Sequence, residues 1–354
     1  MIATITTMIA TIRTSLCVIL FHGLASAQLL TPIAQERSVT GRANLCLNGT
    51  ETSDSELITA PDFGPFVAAA GANVQNPSAE ACAGGNQDSE IVSNSFIASG
   101  SAFSDSFVSS GLWEADAFGS SRATLTFQLT ARARYQIVGQ LTSTDYGDSS
   151  ALLRFANDGS FIDGANAFDR TIALDRSGVL EPGEYDISFS TVASTCAYGG
   201  FFNFGFGEYA MALHLTPFVD NYCEGAVNST GAGASLAATG TTSIAANDFS
   251  IEATGLPSNA FGVVFYGPNQ IQTTFGDGFR CVGGLTQRVL PIVQADGAGT
   301  LVRGIDFTTG PASSGSNQIL PDSTWNFQFW YRDPMGPGGS GFNTSDGLSV
   351  MFEQ

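Results

Sequence analysis

Thr124-Leu125-Thr126-Phe127-Gln128-Leu129 is the stretch that decides the fold, because apolar and polar side chains alternate along it with a period of two. In a β-strand this alternation places Leu125, Phe127 and Leu129 on one face. After a polar corner at residues 130–134, a second apolar segment follows at 135–141. The two segments predict neighbouring strands that bury one face each.

The same pattern continues toward the C-terminus of this region. Further strand-like segments occur at 151–155, 170–174 and 210–215, each bounded by turn-forming residues. The tight-turn signal Pro182-Gly183 precedes a segment in which Tyr185, Ile187 and Phe189 alternate inward. No comparable stretch has a helical period, so the region predicts a β-sandwich.

A second group of strands follows at 249–253, 261–267, 301–307 and 348–352. The clearest strand of the chain lies among them, at 325–332. Its pleat would place four aromatic side chains on one face: Trp325, Phe327, Phe329 and Tyr331. The chain is therefore predicted to be all-β, with two tandem antiparallel β-sandwiches of jelly-roll or immunoglobulin-like type.

The N-terminal residues 1–27 have the order of a secretory signal peptide. Arg13 precedes the short apolar run 16–21, and Ala25-Ser26-Ala27 fits a cleavage site. The run is much shorter than the ~20 residues that span a bilayer. We expect a secreted or extracellular protein, with retention at the cell surface left open, and no membrane span in the mature chain.

Composition divides the remaining chain into three parts. Residues 28–60 are polar and show little periodicity, so we expect an ordered N-terminal arm or a tether. Residues 61–217 form the first sandwich, in which the Ser-, Ala- and Gly-rich segment 61–121 suggests edge-type strands. Residues 218–354 form the second sandwich, and the two join near 216–221.

The charge balance is strongly acidic. The formal net charge is −19, with 32 acidic and 13 basic residues, and all of the basic residues are arginines. Such a surface repels the phosphates of nucleic acids and anionic lipids, so nucleic-acid binding is excluded as a function. It suits solubility, a salty exterior or divalent cations. Because the chain has no lysine, a phosphate-binding loop with a lysine is also excluded.

Five cysteines remain after the leader, and an exported protein can form disulfides. Cys223 and Cys281 are the only cysteines of the second unit and are natural partners. Cys46 with Cys82 is the analogous pair upstream, which leaves Cys196 over. Only one histidine, His214, follows the leader, and no cysteine spacing fits zinc, so an ordinary zinc site is not expected.

The second unit resembles a C-terminal domain of secreted, repeat-rich proteins from environmental bacteria, whose function is uncharacterised. The resemblance spans about residues 220–354. It rests on the following motifs: Tyr222-Cys223-Glu224-Gly225, Asn228-Ser229-Thr230-Gly231, Gly255-Leu256-Pro257-Ser258-Asn259-Ala260-Phe261-Gly262, Arg280-Cys281-Val282-Gly283-Gly284, Trp325-Asn326-Phe327-Gln328-Phe329-Trp330-Tyr331-Arg332-Asp333 and Asp346-Gly347-Leu348-Ser349-Val350-Met351-Phe352. It implies an extracellular β domain and carries over no catalytic residues.

Trp330 is the first candidate for ligand binding. It shares one strand face with Asn326, Gln328 and Arg332, so the four could form an aromatic platform flanked by hydrogen-bonding groups. A sugar ring packs its apolar face on such a ring while its hydroxyls reach polar neighbours. The alternative is that both faces of the sheet are covered and Trp330 belongs to the core.

Acidic, Gly-containing loops offer oxygen ligands for calcium. The candidates are Asp145, Asp148, Asp158 and Asp163. Their spacing matches no EF-hand, and Asp and Gly are also ordinary turn residues. Calcium is therefore a possible ion, and no other cofactor is expected.

The signals for catalysis are weak. Glu184, Asp186 and Glu208 could supply a glycosidase pair only if a cleft brought them together. A serine hydrolase would need His214, which is predicted to point outward from a strand, and there is no G-x-S-x-G elbow. We therefore predict a non-catalytic extracellular binding or structural module, and we expect a polysaccharide or the cell-envelope surface as its partner. The alternatives are a carbohydrate-binding accessory protein and an enzyme of unrecognised type.

Overall fold

The computed structural model describes residues 28–47, 49–109, 113–144 and 148–354. These residues form strands and turns without a helix, which confirms the predicted all-β class. Accordingly, the described residues contain no helix that could cross a membrane. The signal peptide prediction falls on residues 1–27, outside the described part.

Two compact units divide the chain. The first unit comprises Gln28–Asp220 with Leu320–Ser323 and Val350–Gln354, and the second comprises Asn221–Ile319 with Thr324–Ser349. The division at Asp220 lies within the segment 216–221 where the sequence predicts the joint. The first unit also takes in the last five residues of the chain, which the sequence analysis assigned to the second.

The first unit contains twelve long strands. They are β1 (Leu30–Leu47), β2 (Thr50–Thr59), β3 (Phe66–Asn76), β4 (Ala79–Val92), β5 (Ser95–Val108), β6 (Trp113–Leu129), β7 (Ala133–Thr144), β8 (Asp148–Asn157), β9 (Ser160–Ala167), β10 (Thr171–Leu180), β11 (Gly183–Tyr198) and β12 (Phe202–Pro217). They form two antiparallel six-stranded sheets. The first sheet has the order β2-β1-β6-β11-β8-β9, and the second has the order β10-β7-β12-β5-β4-β3.

The two sheets face each other across one apolar core. Leu125, Phe127 and Leu129 of β6 are fully buried, as the alternation predicts. Aromatic pairs connect the sheets: Phe96 of β5 stacks on Phe189 of β11 at 5.6 Å. Burial of a large apolar side chain contributes about 1.5–3 kcal/mol, so this core is the main source of the unit's stability.

The N-terminal arm expected at 28–60 is not separate from the sandwich. Strand β1 pairs with β6 from Leu30 opposite Leu129 to Leu47 opposite Trp113, and β2 pairs with β1. The apolar signal is weak here because the inward-pointing residues include the small Gly41 and Ala43 and the buried, charged Arg37. Small residues lower the apparent hydrophobicity of a strand without changing its period.

Small residues also allow close contact between the sheets at one end of the sandwich. A side chain on Gly119 of β6 would collide with the backbone oxygens of Gly84 and Phe103 on the opposite sheet. The surrounding core consists mainly of alanines on strands β1, β3, β4 and β6. The segment 61–121 therefore forms full-length strands of the sandwich and not only edge strands.

The second unit is built from shorter strands. They are β13 (Val219–Tyr222), β14 (Ser235–Thr239), β15 (Ser250–Thr254), β16 (Phe261–Gly267), β17 (Asn269–Phe275), β18 (Gly278–Gly283), β19 (Gln287–Gln294), β20 (Leu301–Gly304), β21 (Thr324–Asp333), β22 (Gly341–Thr344) and β23 (Gly347–Met351). One sheet has the order β13-β23-β21-β16-β19, with β22 beside β21, and a second has the order β14-β15-β20. Strands β17 and β18 form a separate hairpin.

The aromatic face of β21 is the core of this unit, as predicted. Trp325, Phe327, Phe329 and Tyr331 are all buried. Phe327 packs on Tyr266 of β16 and on Phe249, with ring centroids 5.5 and 6.0 Å apart. The disulfide between Cys223 and Cys281 is also confirmed, and it ties the end of β13 to β18 with a Cα–Cα distance of 6.2 Å.

The predicted pair Cys46–Cys82 is wrong, because both cysteines are free. Cys46 alternates with core residues on β1 of the first sheet, and Cys82 alternates with Ala81 and Ala83 on β4 of the second. Each cysteine therefore points away from the core on its own sheet, and the two lie on opposite outer surfaces. Cys196, expected as the odd cysteine, is free as well.

Candidate functional site

A groove of about 930 Å³ lies on the outer face of the first sheet, and it is the candidate site. Strands β2, β1, β6 and β11 run side by side beneath it. Because alternate residues of a strand point to opposite faces, the neighbours of buried Ala43, Ala115, Ala117 and Ala197 point into the groove. The volume lies within the usual range of small-ligand sites.

Strand register arranges the outer side chains here in three rows; the second and third rows line the groove, and the first row borders it. From β2 to β11, the rows are Glu51, Cys46, Glu114 and Tyr198; Ser53, Asn44, Asp116 and Cys196; and Ser55, Arg42, Phe118 and Ser194. Neighbouring positions in a row are about 4.8 Å apart, and rows are about 6.8 Å apart.

Hydrogen-bonding groups of both kinds line the groove. Arg42 is an exposed donor, while Glu51, Asp116 and Asp148 are acceptors. Asn44 Oδ1 is buried and has no hydrogen-bond partner within the protein, which leaves an acceptor on the groove floor for an incoming hydroxyl. With several carboxylates and one arginine, the groove favours neutral or cationic ligands over anionic ones.

Glu114, Asp116 and Cys196 form a cluster whose ligand atoms lie within 4.8 Å of one another. Burial raises the pKa of the Cys196 thiol to about 11. Hydrogen bonds with Cys196 and Glu114 raise the pKa of Tyr198, whose hydroxyl donates to Glu114 Oε1 at 2.9 Å. At neutral pH both groups stay protonated, so Cys196 is neither a good nucleophile nor a good metal ligand.

Aromatic side chains are exposed at the end of the sheet where β11 turns into β12. Tyr198 is 56% exposed, and Phe201 and Phe202 are 69% and 64% exposed. Tyr198 ends the first row, which borders the groove, and the other two follow it after a tight turn. Exposed aromatic rings beside polar groups are suited to stacking against the apolar face of a sugar ring.

The platform predicted around Trp330 is only half present. Asn326 and Gln328 are buried, because the β17–β18 hairpin covers that part of β21: Gln328 Oε1 accepts from Cys281 N, and its amide donates to Phe279 O. Trp330 and Arg332 remain at the surface, where the Arg332 guanidinium lies 5.5 Å from the ring. Arg332 thus occupies the ring face that a sugar would need.

The aspartates predicted to bind calcium do not form one site. Asp145 lies outside the described residues. Asp148 and Asp158 flank opposite ends of β8, which at about 3.3 Å per residue separates them by about 30 Å. Asp158 occupies the β8–β9 turn with φ of 44°, which is an ordinary turn role. Asp163 lies inside β9, where its Oδ1 accepts from Gly164 N.

The weak catalytic candidates are also separated by the fold. Glu184 and Asp186 lie on the outer face of the first sheet, whereas Glu208 lies on the outer face of the second, where burial raises its pKa. His214 Nδ1 lies 2.9 Å from Ser95 Oγ, a contact that the sequence did not predict. In the adjacent strand β7 the residue opposite His214 is Gln136, which is not an acid.

Comparisons with known proteins leave the family open. No protein-family model matches the chain, and no curated protein matches it. Among solved structures, the adhesin domain of Epf from Streptococcus pyogenes aligns at 10% identity with a TM-score of 0.18, over 94% of this chain and 98% of that one. Allantoicase aligns at 8% identity with a TM-score of 0.12, over 65% and 76% of the two chains. At these scores neither similarity carries an argument about fold or function.

Proposed function

We propose that this protein is a non-catalytic extracellular binding module, and that the groove on the outer face of the first sheet holds a neutral carbohydrate. The observation that carries the proposal is the array of hydrogen-bonding side chains that lines and borders a groove of about 930 Å³. The Cys223–Cys281 disulfide supports an oxidising, extracellular compartment.

The chemistry of the groove supports binding more than catalysis. Its thiol and phenol hold their protons at neutral pH. The carboxylates stand on a sheet, where strand spacing fixes their positions, and such rigid groups bind a ligand without a large cost in side-chain ordering. Asn44 and Arg42 complement these acceptors with donors, so a hydroxyl that both gives and accepts a hydrogen bond finds partners for each role.

The exposed aromatic rings at the β11–β12 turn favour a sugar over another polyhydroxylated compound. A pyranose ring has one apolar face that packs on an aromatic side chain, and its edge carries the hydroxyls. Tyr198 provides a ring at the end of the first row, beside Glu114. Anionic polysaccharides are disfavoured because four groove carboxylates oppose one arginine.

The test is a glycan array followed by titration calorimetry on the best neutral oligosaccharide. Wild type and the variants Asn44→Ala and Asp116→Asn are compared with Asp186→Asn, a carboxylate on the same outer face but outside the groove. Losing a hydrogen-bonding group costs about 1–3 kcal/mol, so each groove variant should weaken binding about 5- to 100-fold. Asp186→Asn should bind like wild type.

Two outcomes would refute the proposal. If wild type binds no neutral glycan on the array, the ligand class is wrong. If both groove variants keep wild-type affinity for a bound glycan, the groove is not the site, whatever the ligand. Circular dichroism of each variant before the titration establishes that a loss of affinity does not come from unfolding.

A further inference from the structure

A second place in the molecule combines two carboxylates with no basic partner. Asp333 ends β21, and Asp277 lies in the turn between β17 and β18. Both belong to the second unit, although 56 positions separate them in the sequence. The β21–β22 loop, which follows Asp333 directly, passes between them.

The loop brings the two carboxylates together at one glycine. A methyl group built on Gly336 would lie less than 3.0 Å from both Asp277 Oδ2 and Asp333 Oδ2. Backbone hydrogen bonds hold the loop in this position: Gly336 N donates to Asp333 O at 3.0 Å, and Ser340 N donates to Asp277 Oδ1 at 2.8 Å. Only a residue without a side chain fits between the two acids.

Each carboxylate has one buried oxygen that the protein leaves without a hydrogen-bond partner. Asp333 is 1% exposed; its Oδ2 accepts from Ser229 N at 2.9 Å, whereas its Oδ1 has no partner. Asp277 Oδ2 is likewise buried without a partner. A buried polar atom without a partner costs free energy, and a buried anionic oxygen costs more than a neutral one.

No basic side chain compensates these charges. The ion pairs of the described residues join Arg122, Arg132 and Arg134 to other acids, and neither Asp277 nor Asp333 takes part in one. The chain has no lysine that could supply the missing charge.

We propose that Asp277 and Asp333 bind a divalent cation, Ca²⁺, which joins the β17–β18 turn to the β21–β22 loop. Calcium is a hard cation that takes six to eight oxygen ligands in flexible geometry. The two carboxylates supply part of this set, and water supplies the rest. Magnesium demands a tighter octahedral shell and gives up its water less readily, so it binds more weakly here.

The test uses the purified full chain, freed of metal with EGTA and titrated with CaCl₂ by calorimetry. We expect one ion per chain with a dissociation constant of about 0.1–1 mM, the range of extracellular calcium modules. Because an ion that binds only the folded state stabilises it, 10 mM CaCl₂ should raise the melting temperature of the second unit by at least about 3 °C.

Two variants and two controls locate the site. Asp277→Asn and Asp333→Asn should each lose the calcium-dependent shift, and each should melt in EGTA no lower than wild type, because one of two facing charges is gone. Asp296→Asn, which alters another turn aspartate of the same unit, and Asp116→Asn in the groove should keep the shift. Should Asp333→Asn fail to fold, the more exposed Asp277→Asn carries the test.

The proposal is overturned if wild type shows neither binding heat nor a melting shift with calcium. It is also overturned if Asp277→Asn keeps the full shift, because the ion then binds elsewhere. A variant that melts lower than wild type in EGTA and in calcium by the same amount would assign Asp277 a structural role in its turn and would refute the cation site.

Discussion

Removing the Cys223–Cys281 disulfide should destabilise the second unit while the first is unaffected. The bond closes a loop of 58 residues, and the chain-entropy treatment gives about 4 kcal/mol for a loop of this length. The loop contains β14 to β17, so without the bond the unfolded chain gains freedom over nearly half of the unit. The double variant Cys223→Ala/Cys281→Ala makes this change without adding a polar group to the buried Cys281 position.

Urea unfolding followed by tryptophan fluorescence measures the effect. Trp325 and Trp330 belong to the second unit and Trp113 to the first, so a Trp113→Phe background restricts the signal to the second unit. With a urea dependence of about 2 kcal/mol/M, a loss of about 4 kcal/mol lowers the midpoint by about 2 M. The matched control is Cys46→Ala/Cys82→Ala, which removes two free thiols and should leave the midpoint unchanged. A shift below about 0.5 M in the disulfide variant, or an equal shift in the control, would show that the loop closure does not stabilise the unit.

Two more predictions concern stability. Burial raises the pKa of Asp346 to about 6 from its usual 3.8, so the folded second unit binds this proton more tightly than the unfolded chain does. The stability of the unit should therefore fall by about 2 kcal/mol as the pH rises from 4 to 6, and Asp346→Asn should flatten that part of a pH series of urea midpoints. Gly119→Ala should lower the stability of the first unit by about 3 kcal/mol or more, because its methyl group meets the backbone of the opposite sheet, whereas Gly183→Ala, with ordinary contacts, should change it little; equal midpoints for the two variants would contradict the close approach of the sheets.

The parts of the fold that the sequence predicts are those in which large apolar residues alternate. Phe127 and Phe189 enter the core on the expected faces, as do the aromatic residues of β21. The strands β1 to β5 are harder to predict because their inward residues are mostly Ala, Gly and Ser. Inward and outward positions alternate in these strands as well. The small inward side chains differ little in hydrophobicity from the polar outward ones, so the alternation is hard to recognise in the sequence.

The candidate sites depend on register between distant strands, which the sequence does not display. Asp116 lies beside Asn44 and Cys196 only because β6 pairs with β1 on one side and β11 on the other. Strand alternation alone makes Trp330 a candidate for ligand binding. The sequence does not indicate that the β17–β18 hairpin covers the same strand face and buries Gln328. The cluster at Asp333 has a sequence signal in the glycine-rich loop that follows, although nothing local indicates Asp277 as its partner.

The groove and the cation site are independent of each other, and this independence makes both proposals testable. Every residue lining the groove belongs to the first unit, and the two aspartates with their loop belong to the second. Glycan affinity should therefore be the same in EGTA and in calcium, and Asp277→Asn should bind the glycan as wild type does. Likewise, Asn44→Ala should keep the calcium-dependent melting shift. A sheet surface owes its geometry to backbone pairing over long strands, so an ion bound in the second unit has little to add to it. The β21–β22 loop has no strand pairing over residues 334–340 and is held by a few hydrogen bonds, so an ion that binds both carboxylates would add to this limited constraint.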